Sequence, residues 1–68
     1  MDIHEMRQWT RRDPFVPFLI RCHDGAIYRI PALGLASAAS REVIVGIPNS
    51  RNLAKYTTFV DYSRIAAV

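Results

Sequence analysis

The stretch "FVPFLIRCHDGAIYRIP", Phe15 to Pro31, decides the fold because it holds the dipeptide Asp24-Gly25 between two apolar runs. An Asp-Gly pair flanked by strand-forming residues is a strong short-range signal for a β-hairpin. The stretch therefore predicts two antiparallel strands, and the loop length decides which side chains share a face.

Two loop lengths are compatible with this hairpin. A two-residue loop sets Ile20 opposite Arg29 and mixes polar and apolar side chains on both faces. A three-residue loop at 23–25 sets Ile20 opposite Tyr28 and collects one apolar face: Phe18, Ile20, Cys22, Ala26, Tyr28 and Ile30. Because a slip of one residue moves every side chain to the other face, the second register is favoured. It predicts a type I turn followed by a left-handed Gly25 in a bulge.

A short helix precedes the hairpin, and strands follow it. Ile3, Met6 and Trp9 recur at helical spacing, Asp2 stands at the N-cap position, and Pro14 follows the helix. The helix is expected at about 2–11. Five strands are expected at about 15–23, 26–36, 41–48, 55–61 and 63–68, with Leu33 and Leu35 continuing the second and a polar loop at 49–55.

One helix and five short strands predict a mainly β chain with a single small domain. The expected architecture is a five-stranded, strongly bent antiparallel sheet, that is, a small barrel of SH3-like or Sm-like type. The alternative is an open sheet with the helix packed across one face.

Size and composition favour self-association in a reducing compartment. The chain has 68 residues, half of them hydrophobic, and a formal charge of +3. Domains this small are marginally stable alone, and the single Cys22 rules out an internal disulfide. A homo-oligomer in the cytoplasm is therefore expected. Neither a membrane-spanning run nor a signal peptide is expected from the apolar pattern.

The pattern "PF-x-PF-x-I" at 14–20, followed by Asp24-Gly25 and Ile30-Pro31, resembles a family of short bacterial proteins of unknown function that is frequent in planctomycetes. In that family a short amphipathic helix also precedes the run and an apolar strand ends the chain. The resemblance covers most of the chain. It implies no catalytic residue, because the family carries no established activity.

A second resemblance is to Sm-like proteins, including the bacterial Sm-like RNA chaperone. These have an N-terminal helix and five bent strands, and they form rings through strands four and five. Residues 56–61 and 64–68 would hold those positions here. The acidic-apolar-asparagine loop pattern of that family has no match in "LGLASAASRE" at 33–42, and its Tyr-Lys-His element meets only Val60-Asp61-Tyr62-Ser63. The likeness therefore implies architecture more than RNA binding.

Groups that could carry chemistry are few. His4, Cys22 and His23 are the imidazole and thiol groups of the chain, and adjacent strand residues such as Cys22 and His23 point to opposite faces. That geometry disfavours both a zinc site and a Cys-His nucleophile. No metal, cofactor, small-molecule substrate or catalytic residue is therefore expected, with Cys22 in the core and His23 at the hairpin tip.

Two surfaces remain as candidates for binding. An arginine-rich face would contact the phosphates of RNA or DNA through Arg21, Arg29, Arg41, Arg51 and Lys55, with Tyr56, Phe59 or Tyr62 available for base stacking. Strand edges would pair between copies, or with another protein, through Tyr56, Thr58, Val60, Ile65, Val68 and Trp9. Self-association is the leading hypothesis, and nucleic-acid binding is the alternative.

Overall fold

The computed structural model describes residues 1–48, 51 and 54–68. Most of the predicted polar loop at 49–55 lies outside these residues. Within them the chain forms one helix and six strands: α1 (Ile3–Thr10), β1 (Phe18–Cys22), β2 (Ile27–Ile30), β3 (Ala36–Ala38), β4 (Glu42–Pro48), β5 (Ala54–Asp61) and β6 (Ile65–Ala67). A 3-10 turn at Tyr62–Arg64 connects β5 to β6.

The register predicted for the hairpin is confirmed. Strand β1 pairs with β2 so that Ile20 lies opposite Tyr28 and Phe18 lies opposite Ile30. Ile20 is completely buried and Ile30 is almost so, whereas the alternate residues Leu19 and Arg29 are exposed. One face of the hairpin is therefore core and the other faces solvent.

The turn has the predicted geometry as well. The Gly25 N–H donates to the Cys22 carbonyl at 3.0 Å, and the Cys22 N–H donates to the Ala26 carbonyl at 2.9 Å. Gly25 has φ 91°, the left-handed region that the bulge requires. The carboxylate of Asp24 accepts a hydrogen bond from the Ala26 N–H at 2.9 Å and so fixes the turn.

The second predicted strand, 26–36, is wrong as a continuous element. It ends at Ile30, and the chain turns before β3 begins at Ala36. The Leu35 N–H donates to the Ala32 carbonyl at 3.3 Å, and Gly34 has φ 90°. A glycine at the third position of such a turn is typical of type II. Leu33, predicted to continue the strand, is 67% exposed at this turn.

This break divides the strands into two antiparallel sheets. The first sheet has the order β2-β1-β6 and the second sheet has the order β3-β4-β5. Among the described residues no strand pairing joins the two sheets, so the chain has six strands and no closed five-stranded barrel. Strand β1 begins at Phe18, later than predicted, because Pro17 and Pro14 carry no N–H for a sheet.

The core lies between the inner faces of the sheets and under the helix. Its members are Met6, Phe18, Ile20, Cys22, Ile30, Leu35, Ala36, Val43, Val45, Val60, Tyr62 and Ile65. Helix α1 packs against β3 and β4 and buries Met6 completely. Trp9 extends this contact to β1, with its ring centroid 5.6 Å from that of Phe18.

Candidate functional site

Strand β4 has hydrogen-bonding neighbours on both sides, and its ladder to β3 fixes which residues face which neighbour. The Ala39 N–H donates to the Glu42 carbonyl at 2.9 Å, and the Gly46 N–H donates to the Leu35 carbonyl at 2.8 Å. In an antiparallel sheet, alternate residues bond to opposite sides. The even-numbered residues of β4 therefore bond to β3, and the odd-numbered residues bond to β5.

Among the described residues no strand pairs with the other side of β5, which therefore presents an open edge with a definite set of backbone groups. Val45 lies opposite Thr58 and Val43 lies opposite Val60, so Thr58 and Val60 turn their N–H and C=O groups towards β4. Residues 57 and 59 turn theirs away, towards the edge of the second sheet. The opposite edge strand of this sheet, β3, packs against α1.

The side chains along β5 alternate between core and solvent. Val60 is completely buried, Thr58 is half-buried, and Tyr56, on the same side of the strand, is 63% exposed where β4 and β5 extend past the core. Thr57 and Phe59 lie on the outer side, and Phe59 is 57% exposed opposite Ile44. The edge thus carries two exposed aromatic rings beside its open backbone groups.

The other residues predicted for self-association lie in different environments. Strand β6 is the edge of the first sheet, and its Ile65 is only 5% exposed, with Val68 half-buried beyond it. Trp9 is half-buried against Phe18. Of the predicted set, Tyr56 and Thr58 are the members that stand at the β5 edge with accessible side chains.

Thr57 and Phe59 were not among the residues predicted for this edge, although their backbone groups define it. Period-two alternation separates residues 56, 58 and 60 from residues 57 and 59, but it does not say which set bonds to β4. The ladder between β3 and β4 supplies that information. The run "YTTFV" at 56–60, free of charge and proline, is the sequence signal that points to the strand itself.

Arg21 and Arg29 lie together on the outer face of the first sheet. Leu19 pairs with Arg29 and Arg21 pairs with Ile27, and all four side chains are exposed. We call these four residues the basic face. Leu19 lines two clefts. One, of about 260 Å³, is also lined by Arg29, and the other, of about 460 Å³, is also lined by Arg21.

The remaining predicted cations are elsewhere. Arg41 is exposed in the turn between β3 and β4, where its charge helps to lower the pKa of Asp61. Arg51 is exposed in the connection between β4 and β5, and Lys55 is a residue of β5. The structure thus joins Arg21 to Arg29 on one sheet and leaves the other three at the second sheet. The exposed rings of Tyr56 and Phe59 are on that second sheet as well.

Two carboxylates fix turns of the chain and have lowered pKa values. The hydrogen bond from the Ala26 N–H is the main cause of the lowered pKa of Asp24, and the charge of Arg64 contributes less. Arg64 also forms an ion pair with Asp24 at 3.3 Å. The Asp61 carboxylate accepts hydrogen bonds from the Ser63 N–H at 3.0 Å and from the Ser63 hydroxyl at 2.9 Å. These bonds lower the pKa of Asp61 and hold the end of β5 in place.

The thiol and imidazole groups are separated as predicted. Cys22 is 5% exposed, and burial raises the pKa of its thiol, whereas His23 is exposed at the hairpin tip. In the described part of the chain, no three His, Cys, Asp or Glu side chains are grouped to hold a metal ion. A buried, protonated thiol is a poor nucleophile.

Comparison of the chain with protein-family models, with curated proteins and with solved structures gave no match. Within residues 1–48, 51 and 54–68, no helix is long and apolar enough to cross a bilayer. The β5 edge and the basic face are therefore the features from which a function can be argued.

Proposed function

We propose that this chain is a non-enzymatic module that self-associates through open strand edges at about 56–60 and 65–68, and so serves in assembly or partner binding. The observation that carries the proposal is the β5 edge, where residues 57 and 59 turn their backbone groups away from β4. An open edge strand is a template for pairing with another chain.

Strand β5 has few of the features that protect a free edge. Such features include prolines, bulges, a short strand and charged residues, above all lysine. A bulge interrupts the pairing of β5 with β4 between Ala54 and Tyr56. The central run "YTTFV" at 56–60 pairs regularly with β4 and has no charge and no proline. Lys55 and Asp61 stand only at its ends. The exposed rings of Tyr56 and Phe59 add apolar area that pairing would remove from water.

The order of the strands in the two sheets supports one further part of this proposal, a relationship to small SH3-like or Sm-like barrels. The two sheets have the orders β6-β1-β2 and β3-β4-β5. If the turn at 31–35 is ignored and β2 is placed beside β3, they give a single order, β6-β1-β2-β3-β4-β5, preceded by an N-terminal helix. In a barrel of this type the two ends of the series are the edges that meet a neighbouring subunit. The resemblance of "PF-x-PF-x-I" at 14–20 to short planctomycete proteins belongs to the same proposal.

The native mass measured by light scattering tests the proposal. At micromolar concentration we expect a multiple of the 7.7 kDa chain mass. Thr57→Pro removes an edge N–H that does not bond to β4, so it should lower the mass towards that of one chain without unfolding it. Arg29→Pro is the matched control, because its N–H faces the open edge of β2 and its mass should remain that of the wild type. A wild-type monomer would contradict self-association.

Nucleic-acid binding is the second candidate, and the basic face favours it. Arg21 and Arg29 are both exposed, and the outward residues of β1 and β2 include no acid. Arginine forks suit phosphate oxygens. Because the exposed aromatic rings lie on the second sheet, we expect the basic face to contact the sugar-phosphate backbone without stacking bases.

Fluorescent single-stranded RNA at low salt tests this second candidate. Binding should weaken as salt rises, with log K falling by about 0.7 per log unit of salt for each phosphate contact. The double variant Arg21→Ser with Arg29→Ser should lose most of the affinity. No binding by the wild type, or equal binding by the double variant, would contradict a role for the basic face.

A further inference from the structure

We propose that the basic face binds an extended acidic segment of another protein, in which two carboxylates stand two residues apart and apolar residues flank them at the same spacing. This goes beyond the proposed self-association and does not depend on it, because the basic face and the β5 edge belong to different sheets. Four side chains and the two clefts beside them define the site.

The basic face has charged and apolar side chains at alternate corners. Leu19 lies opposite Arg29 and Arg21 lies opposite Ile27, so the two arginines occupy one diagonal and the two apolar side chains occupy the other. Ile27 is 56% exposed and Leu19 is 37% exposed. Diagonal neighbours across two antiparallel strands lie about 7–8 Å apart. A partner that covers this face therefore meets two separated cations and two apolar side chains together.

The charge of this face calls for an acidic partner. Within the described ranges no acidic side chain pairs with Arg21 or Arg29, and the ion pair found there joins Arg64 to Asp24 at the hairpin tip. The neighbouring position on β6 is Ala67, opposite Arg21, which adds no charge. The whole chain carries a formal charge of +3. A second copy would on balance bring more positive charge to the face, whereas an acidic segment complements it.

The two clefts beside Leu19 extend the apolar part of the site. Pro17 and Leu19 line both clefts, Pro31 also lines the first, and Ala67 also lines the second. Each cleft thus has apolar walls and adjoins one of the two arginines of the basic face. An apolar side chain of a partner that enters such a cleft leaves water next to a cation that can hold a carboxylate.

An extended segment fits these spacings. Two residues that are two positions apart on a strand point to the same side and lie about 6.8 Å from each other, close to the diagonal between Arg21 and Arg29. Each of two such carboxylates can accept forked hydrogen bonds from one guanidinium. Apolar residues two positions before and two positions after the carboxylates lie on the same side of the segment, towards the clefts that adjoin the arginines.

RNA is the competing occupant of this face. Its phosphates can bind both arginines, but they make no use of Leu19, Ile27 or the apolar clefts. The four residues of the basic face also include no aromatic ring on which a base can stack. An acidic segment with flanking apolar residues uses the charges and the apolar groups together, so the observations favour it.

The fluorescence anisotropy of labelled peptides at low salt tests the proposal. The peptide LTETETL has the expected spacing, LTQTQTL lacks its charges, and STETETS lacks its flanking apolar residues. We expect LTETETL to bind, LTQTQTL to bind about tenfold or more weakly because it forms no ion pairs, and STETETS to bind several-fold more weakly because nothing fills the clefts. Absence of LTETETL binding by the wild type would overturn the proposal.

Variants of the protein locate the binding site, and circular dichroism confirms that each is folded. The double variant Arg21→Gln with Arg29→Gln should lose the preference for LTETETL over LTQTQTL. Leu19→Ser and Ile27→Ser, which change exposed side chains, should each weaken LTETETL binding several-fold. Arg11→Gln removes an exposed cation just after α1 and should bind as the wild type does.

Two results with these variants would overturn the proposal. The first is wild-type affinity for LTETETL in both serine variants. The second is tighter binding of single-stranded RNA than of LTETETL, unchanged in the serine variants, which would assign the face to nucleic acid. The native mass of the same samples separates this inference from the proposed function, because a monomer that binds LTETETL supports the acidic partner and contradicts self-association.

Discussion

The hydroxyl of Tyr62 donates a hydrogen bond to the backbone carbonyl of Ala39, 23 residues earlier in the chain. The Tyr62 N–H also donates to the Arg41 carbonyl at 3.1 Å. These two bonds attach the 3-10 turn at Tyr62–Arg64 to the hairpin between β3 and β4. They therefore fix the corner at which the chain leaves β5 and enters the first sheet as β6.

Removal of the Tyr62 hydroxyl tests this anchor. Tyr62→Phe keeps the buried ring and leaves the Ala39 carbonyl without its donor, so we expect the free energy of unfolding to fall by about 1 kcal/mol. Tyr62→Leu also removes ring packing and should cost more. Urea unfolding measures both variants, and wild-type stability in Tyr62→Phe would show that the bond contributes nothing.

Gly25→Ala tests the turn of the first hairpin. A Cβ at Gly25 would meet no atom within 4 Å, so any cost arises from its φ of 91° rather than from a clash. We expect a loss of about 1 to 2 kcal/mol in the free energy of unfolding. Gly25→Asn should lose less, because asparagine tolerates left-handed angles. Equal stability of Gly25→Ala and the wild type would contradict the left-handed assignment.

The lowered pKa values of Asp24 and Asp61 predict acid sensitivity. A carboxylate with a lower pKa in the folded state stabilises the fold above its unfolded value and loses that effect as pH falls through the folded pKa. The free energy of unfolding should therefore decrease as pH falls below 3.8, the ordinary value for these groups.

The double variant Asp24→Asn with Asp61→Asn measures the share of that acid sensitivity which these two carboxylates supply, because Asp2, whose pKa is lowered by the Glu5 N–H, is left in place. It should flatten the decrease, because asparagine still caps turns and does not titrate. Asp13→Asn, which removes an exposed carboxylate outside these two turns, is the control. Urea unfolding between about pH 2 and pH 7 makes the comparison. An unchanged slope in the double variant would contradict the assignment.

Much of the first sheet follows from the sequence, because one register alone gathers six residues of 18–30 on a predominantly apolar face and leaves both arginines, with Leu19 and Ile27, on the other. The break after Ile30 does not follow from it, since "ALGLA" at 32–36 alternates as a continuous strand would. Gly34 permits either a strand or a turn, and packing of the two sheets decides between them. Prediction of a bent five-stranded barrel failed at this one turn.

The two candidate surfaces also differ in how far the sequence alone predicts them. Period-two alternation is enough to place Arg21 and Arg29 on one outward face. Whether Tyr56 and Thr58 or Thr57 and Phe59 supply the open backbone groups depends on the ladder between β3 and β4, which local sequence does not encode. The edge could therefore be predicted as a strand but not as a set of hydrogen-bonding groups.

Amide hydrogen exchange at Thr57 and Phe59, followed as protein concentration is raised, tests the central claim most directly. The β5 edge as an interface predicts that these two amides exchange fast in dilute protein and become protected as the chain associates. Thr58 and Val60, whose amides bond to β4, should be protected throughout. Fast exchange at Thr57 and Phe59 in a sample whose mass shows association would contradict the claim.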